Sequence, residues 1–121
     1  MQKSILIVED SKTILEVLSF SLDKHGYEVF SATNGENALK YLDGRKIDLM
    51  ITDLYMPKMD GLELVRVTRE IDAYKKIPIL FLTTEAQQHK KIEAKKAGAT
   101  GWVIKPFVPE KLIRAIKKLL Q

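Results

Sequence analysis

The chain has no cysteine, which excludes a disulfide framework and a thiolate metal site. Its two histidines, His25 and His89, each sit in a polar helical stretch with no partner at metal-ligand spacing. No apolar run is long enough to cross a bilayer. The opening "MQKSILIVED" meets its first acids too soon for a secretory signal, so a cytoplasmic protein is expected. There is one tryptophan, Trp102, and there are four prolines. No linker, internal repeat or low-complexity tract interrupts the sequence, and 121 residues suit a single domain over 1–121.

What is present suits a folded core. Hydrophobic residues make up 45% and charged residues 30%, ordinary values for a water-soluble domain. The formal net charge is +4, and it is unevenly spread. From Glu85 onward nine Lys and Arg face three acids, a surplus of six that leaves the remainder at minus two. A basic C-terminal third attracts nucleic acid or an acidic protein segment. Scattered lysines on a solvated helix face explain it as well.

Short apolar runs alternate with longer helical patterns. The runs are "ILIV" (5–8), "YEVFSA" (27–32), "DLMIT" (48–52), "PILFLT" (78–83) and "GWVI" (101–104). Between them, apolar residues recur three and four apart: Ile14, Leu15, Leu18 and Leu22; then Leu62, Leu64, Val65, Val67 and Ile71; finally Leu112, Ile113, Ile116, Leu119 and Leu120. Gly26 ends the first helix, and Asn34 caps a second that stops near Gly44. Gly98 closes the fourth, and Pro109 suits the first turn of the fifth. Five βα units follow, and right-handed crossovers make them a parallel, doubly wound α/β sheet. The fourth helix has only Ala86, Ile92, Ala94 and Ala97 as apolar positions, a thin stripe that marks it as the element most able to move.

In such a sheet, sites form beyond the C-terminal strand ends. There the sequence places Glu9 and Asp10, Asp53, Thr83 and Thr84, and Lys105. Singly, each has an ordinary explanation. Asp10 or Ser11 can cap the next helix, and Asp53 can be a turn residue. Together they put three carboxylates, hydroxyls and one ammonium at one edge. Carboxylates so close bind protons or a cation, and all-oxygen ligands point to Mg²⁺. A carboxylate facing a phosphorus held by Lys105 and a Thr hydroxyl can act as a nucleophile.

"VED", "ITDLYMPKMDGLEL", "FLTTEA" and "GWVIKPF", in this order, resemble the receiver domain of two-component response regulators, most closely stand-alone receivers of the chemotaxis type (CheY-like). The resemblance covers essentially the whole chain. It implies the flavodoxin-like (βα)5 fold with strand order 2-1-3-4-5. It implies that Asp53 accepts a phosphoryl group from a histidine kinase, a phosphotransfer protein or a small donor such as acetyl phosphate. Glu9, Asp10, Asp53 and the backbone carbonyl of Tyr55 would hold Mg²⁺, or Mn²⁺ in its place, with Asp10 favoured over Glu9 as a direct ligand. Thr83 is the switch hydroxyl, Lys105 the phosphoryl contact, and Trp102 the aromatic switch position. Tyr55, Thr84 and Glu85 are placed as modulators. The Lys105–Pro106 bond is expected to be cis, unusual even for proline.

Several positions depart from the commonest pattern. Glu9 replaces an Asp and lengthens one arm of the acid pair. Tyr55 puts an aromatic beside Asp53, where it would screen attacking water, and Thr84 narrows access. Trp102 stands where Tyr or Phe is usual. Its N–H wants a partner when buried, so an inward ring is expected to be costly.

The resemblance further implies a phosphoacceptor that catalyses its own phosphotransfer and dephosphorylation, not an enzyme acting on other substrates. Its downstream protein target would dock on the basic face of the fourth helix, fifth strand and fifth helix. It would act as a monomer or a weak phosphorylation-dependent dimer, with no direct role for membrane or nucleic acid. Other readings fit less well. A metal-dependent phosphohydrolase would want an acid/base where Tyr55 stands. A flavin-binding domain would not put "EDSK" after its first strand, because two acids repel phosphate. A non-phosphorylated interaction module of the same fold is the remaining alternative.

Overall fold

A computed structural model describes residues 2–121. Eleven segments alternate along them: β1 (Ser4–Val8), α1 (Lys12–Lys24), β2 (Glu28–Ala32), α2 (Gly35–Leu39), β3 (Leu49–Thr52), α3 (Gly61–Glu70), a 3-10 turn (Asp72–Tyr74), β4 (Ile79–Thr83), α4 (Gln88–Ala97), β5 (Gly101–Ile104) and α5 (Pro109–Leu119). All strand pairs are parallel, in the order β2-β1-β3-β4-β5. β1 lies inside the sheet with β2 on one side and β3 on the other, so the strand order reverses there.

Side chains alternate across a strand, and here each face builds its own core. Leu6, Val8, Met50, Ile79 and Phe81 face α2, α3 and α4. Ile5, Ile7, Leu49, Ile51, Leu80 and Leu82 face α1 and α5. Every residue of β1, β3 and β4 is buried, as continuous apolar runs in a two-sided sheet require.

Helix ends follow local chemistry. The Ser11 hydroxyl accepts from the Ile14 N–H, Asn34 Oδ1 from Asn37 at 2.8 Å and Asp60 Oδ1 from Glu63 at 2.9 Å. Each is an N-cap that satisfies one of the donors a helix start leaves free. Ser11, not Asp10, therefore caps α1.

Two details differ from expectation. The second helix ends at Leu39, well short of Gly44. Beyond it the N–H groups of Lys40, Tyr41 and Leu42 bond three residues back, to Asn37, Ala38 and Leu39, so the chain tightens into 3-10-type turns. In α3 the buried position is Thr68 rather than Val67, its hydroxyl donating to the Leu64 carbonyl at 2.7 Å.

The thin stripe of α4 is real and shorter than expected, since Ala86 lies before the helix and is exposed: Ala94 is its only buried residue, no side chain caps it, and Ile92 is 47% exposed. A clamp from α3 secures its far end. Arg69 donates through Nε and Nη2 to the Gly98 carbonyl at 2.9 and 2.7 Å, and through Nη1 to the carbonyls of Tyr74 and Lys75. Gly98 itself lies at φ 115°, and a β-carbon there would stand 2.8 Å from the Arg69 side chain. Among the described residues no helix is long and apolar enough to cross a membrane.

Candidate functional site

Main-chain bonds run one residue past the strands and set the site. The Glu9 N–H reaches the Ala32 carbonyl at 3.0 Å, the Asp53 N–H reaches Val8 at 3.0 Å, and the Lys105 N–H reaches Thr83 at 2.9 Å. Each functional side chain thus leaves a backbone already fixed to the neighbouring strand. The loop after Asp53 folds back tightly: Gly61 donates to the Leu54 carbonyl at 2.8 Å. A β-carbon on Gly61 would collide with the Asp53 carbonyl and the Phe81 ring, so only glycine lets α3 start so close to the site. Lys58 takes the left-handed φ of 72° within this loop.

These bonds bring Glu9, Asp53 and Lys105 together. Lys105 Nζ lies 2.6 Å from Glu9 Oε1 and 3.0 Å from Asp53 Oδ2. Asp53 Oδ1 accepts the Leu54 N–H at 2.7 Å, and Glu9 Oε2 accepts the Ser11 N–H at 3.0 Å. Glu9 is 2% exposed and Asp53 8%, whereas Asp10 stands in solvent. The longer arm of Glu9 thus has a visible use, because it reaches the ammonium.

Burial pushes the Glu9 carboxyl above its ordinary pKa, and pairing with Lys105 offsets only part of that. Burial also works against the Lys105 ammonium, but its two carboxylate partners outweigh it and its pKa rises.

Glu9, Asp10 and Asp53 each offer an oxygen, all within 4.8 Å of one another. Glu9 Oε1 is buried and, apart from its ion pair, makes no aligned hydrogen bond. Three carboxylates against one ammonium leave an excess of negative charge. An all-oxygen set of this kind fits a hard divalent cation.

The rim is a chain of contacts centred on Glu85. The Tyr55 hydroxyl donates to the Glu85 carboxylate across the top of the site. That bond raises the Tyr55 pKa and lowers that of Glu85. The Glu85 N–H donates to Thr83 Oγ1 at 3.2 Å, and Thr83 is fully buried. Trp102 Nε1 donates to the Glu85 carbonyl at 2.9 Å, while its ring packs on Phe81 at 5.6 Å between centroids. The indole N–H therefore has a main-chain acceptor in the conformation observed. Thr84 is exposed. The Lys105–Pro106 bond is cis.

Two contributors were missed in the sequence. The buried Thr52 hydroxyl donates to the Asp53 carbonyl at 2.9 Å and steadies that peptide; a Thr just before the Asp was the only hint. Arg69 fixes α4 from another helix, and its sole signal was a cation in a last helical turn.

The profile of the family described as "Response regulator receiver domain" matches residues 5–117. The chain belongs to this family. The receiver is 37% identical over 118 residues to the chemotaxis protein CheY1 of Helicobacter pylori, covering 96% of this chain and 95% of that protein. It is 35% identical over 121 residues to the Bacillus subtilis transcriptional regulator PhoP of alkaline phosphatase synthesis. The receiver spans about half the length of PhoP, covering 50% of it. Among solved structures, Vibrio cholerae CheY4 superposes with a TM-score of 0.95 at 42% identity, over 99% of this chain and all of that one. The strand order observed here is the one the resemblance implied.

Proposed function

We propose that this receiver is a phosphorylation-controlled signalling switch whose phosphoacceptor is Asp53. The observation that carries the reading is the placing of Asp53 between Lys105 at 3.0 Å and the acid pair, with oxygens of all three acids within 4.8 Å. An Asp53 oxygen forms a bond to phosphorus as the bond from phosphorus to the donor's leaving atom breaks. The leaving group departs with the electron pair. The donor is a histidine kinase, a phosphotransfer protein or a small acyl phosphate. Glu9, Asp10, Asp53 and the Tyr55 carbonyl would hold Mg²⁺, which supplies charge neutralisation to the transferred group. The protein's own part is positioning and electrostatics. The Leu54 N–H fixes one Asp53 oxygen, and Lys105 turns its charge to a phosphoryl oxygen.

Thr83 Oγ1 accepts a bond from the Glu85 N–H, so its own hydrogen is left to donate to the phosphoryl group. Phosphorylation adds about −1.5 to −2 charge at pH 7. Drawing Thr83 toward it pulls on Glu85, and Glu85 holds both Tyr55 and Trp102. The strain passes to α4, which has one buried residue. The output is a change in the basic α4-β5-α5 face, read by a protein partner with acidic surface. Tyr55 and Glu85 cover the site, which slows attack of water on the acyl phosphate, and Thr84 narrows the approach. The receiver acts in the cytoplasm, monomeric or weakly dimeric when phosphorylated. The phosphohydrolase reading gains nothing from the geometry, since Tyr55 spends its hydroxyl on Glu85.

The test is incubation with acetyl phosphate and Mg²⁺ followed by intact mass. A phosphoryl adduct absent from Asp53→Asn supports the reading; no adduct with any donor ends it.

A further inference from the structure

A cleft of about 410 Å³ opens beside Lys105, between α1 and the turn from β5 into α5. Ile14 and Val17 line one side, and Pro106, Phe107 and Pro109 the other. Lys105 is the only charged residue lining it, and its ammonium is the one that pairs Asp53 and Glu9. The cleft therefore adjoins the site through Lys105: an apolar trough whose one charged lining residue also pairs Asp53 and Glu9. A ligand matching that layout has an anionic head and an apolar tail.

We propose that the cleft receives the acyl chain of a small acyl phosphate donor, making this receiver selective for donors with longer apolar leaving groups. The inference rests on the reading of Asp53 as phosphoacceptor. The step is balanced without an added reactant. An Asp53 oxygen bonds to phosphorus, the phosphorus–oxygen bond to the acyl group breaks, and the acyl group leaves as its carboxylate with the electron pair. No proton moves. Lys105 meets the phosphoryl head while the chain covers Val17 and Phe107. A fully buried methylene shifts an equilibrium about fourfold, and half burial in an open trough about twofold. Two added methylenes therefore favour butyryl over acetyl phosphate by about fourfold.

The experiment compares the initial rates of Asp53 phosphorylation by acetyl and butyryl phosphate, below saturation with Mg²⁺, by intact mass. The expected ratio is about fourfold in favour of butyryl. Val17→Ser, at a 44% exposed position in the trough, brings the ratio close to one. Phe20→Ser, at a 72% exposed position on the same helix but outside the trough, keeps it. If acetyl phosphate labels Asp53 but butyryl is no faster, the inference fails and the phosphoacceptor reading stands. A ratio that survives Val17→Ser overturns it equally, because the preference then lies in the donor. If neither donor labels Asp53, both readings fall.

Discussion

Replacing Lys105 with Met removes the ammonium and keeps most of the side chain. Glu9, 2% exposed, then loses its ion pair at 2.6 Å and retains only the Ser11 N–H. Breaking a buried pair by deleting one partner costs about 3–5 kcal/mol when the remaining charge has no escape. Glu9 has one, because burial already raises its pKa and it can take a proton. The loss is therefore set at the low end, about 3 kcal/mol at pH 8, and is smaller at pH 5. The sign follows from linkage. A carboxyl whose folded pKa lies above its unfolded value leaves the fold most stable below the unfolded pKa. Stability then declines as pH rises toward the folded value. The parent's Lys105 has its pKa raised, so it stays charged across this window, and its stabilisation is lost only as pH climbs past that raised pKa. Urea unfolding of parent and Lys105→Met at pH 5 and pH 8, without divalent cations, measures both deficits. Adding Glu9→Gln to Lys105→Met restores most of the loss at pH 8. Equal deficits at the two pH values, or no recovery from Glu9→Gln, would refute the argument that Glu9 is the stranded charge.

Arg69→Met deletes four hydrogen bonds to main-chain carbonyls, for a loss of about 2–3 kcal/mol. Amide exchange at Ala99 and Thr100 should accelerate; unchanged exchange there would show that α4 does not depend on the clamp. In Tyr55→Phe the Glu85 carboxyl loses the bond that lowers its pKa, so NMR titration should find it protonating at higher pH than in the parent. Trp102 is the only indole and donates to the loop that phosphorylation is proposed to pull. Mg²⁺ with a phosphoryl analogue should change its fluorescence, and a flat spectrum while Asp53 is occupied would place Trp102 outside the switch.

The sheet was legible because β1, β3 and β4 are buried on both faces and so read as unbroken apolar runs. The strand-end residues followed, since a parallel sheet gathers its C-terminal ends at one edge. The end of α2 was not legible. Lys40, Tyr41 and Leu42 continue a helical pattern but bond three residues back, a change of geometry that composition does not mark. Nor was the partner of Glu9 legible. Its contact with Lys105 depends on the stacking of β1, β3, β4 and β5, and a sequence gives the ends of those strands without the distances across them. Nor was the acceptor of the Trp102 indole N–H legible, for a related reason: it is a backbone carbonyl, and any residue at 85 supplies one.

That last contact distributes mutational risk unequally. The acceptor at position 85 belongs to the main chain, so substitution there changes the lid over the site and leaves the indole's bond intact. At position 102 the donor is the side chain itself, and Phe, alike in size class and burial, has nothing to give. Drift along this loop can therefore retune the Tyr55–Glu85 contact without cutting the link to β5. The link is broken from one side only.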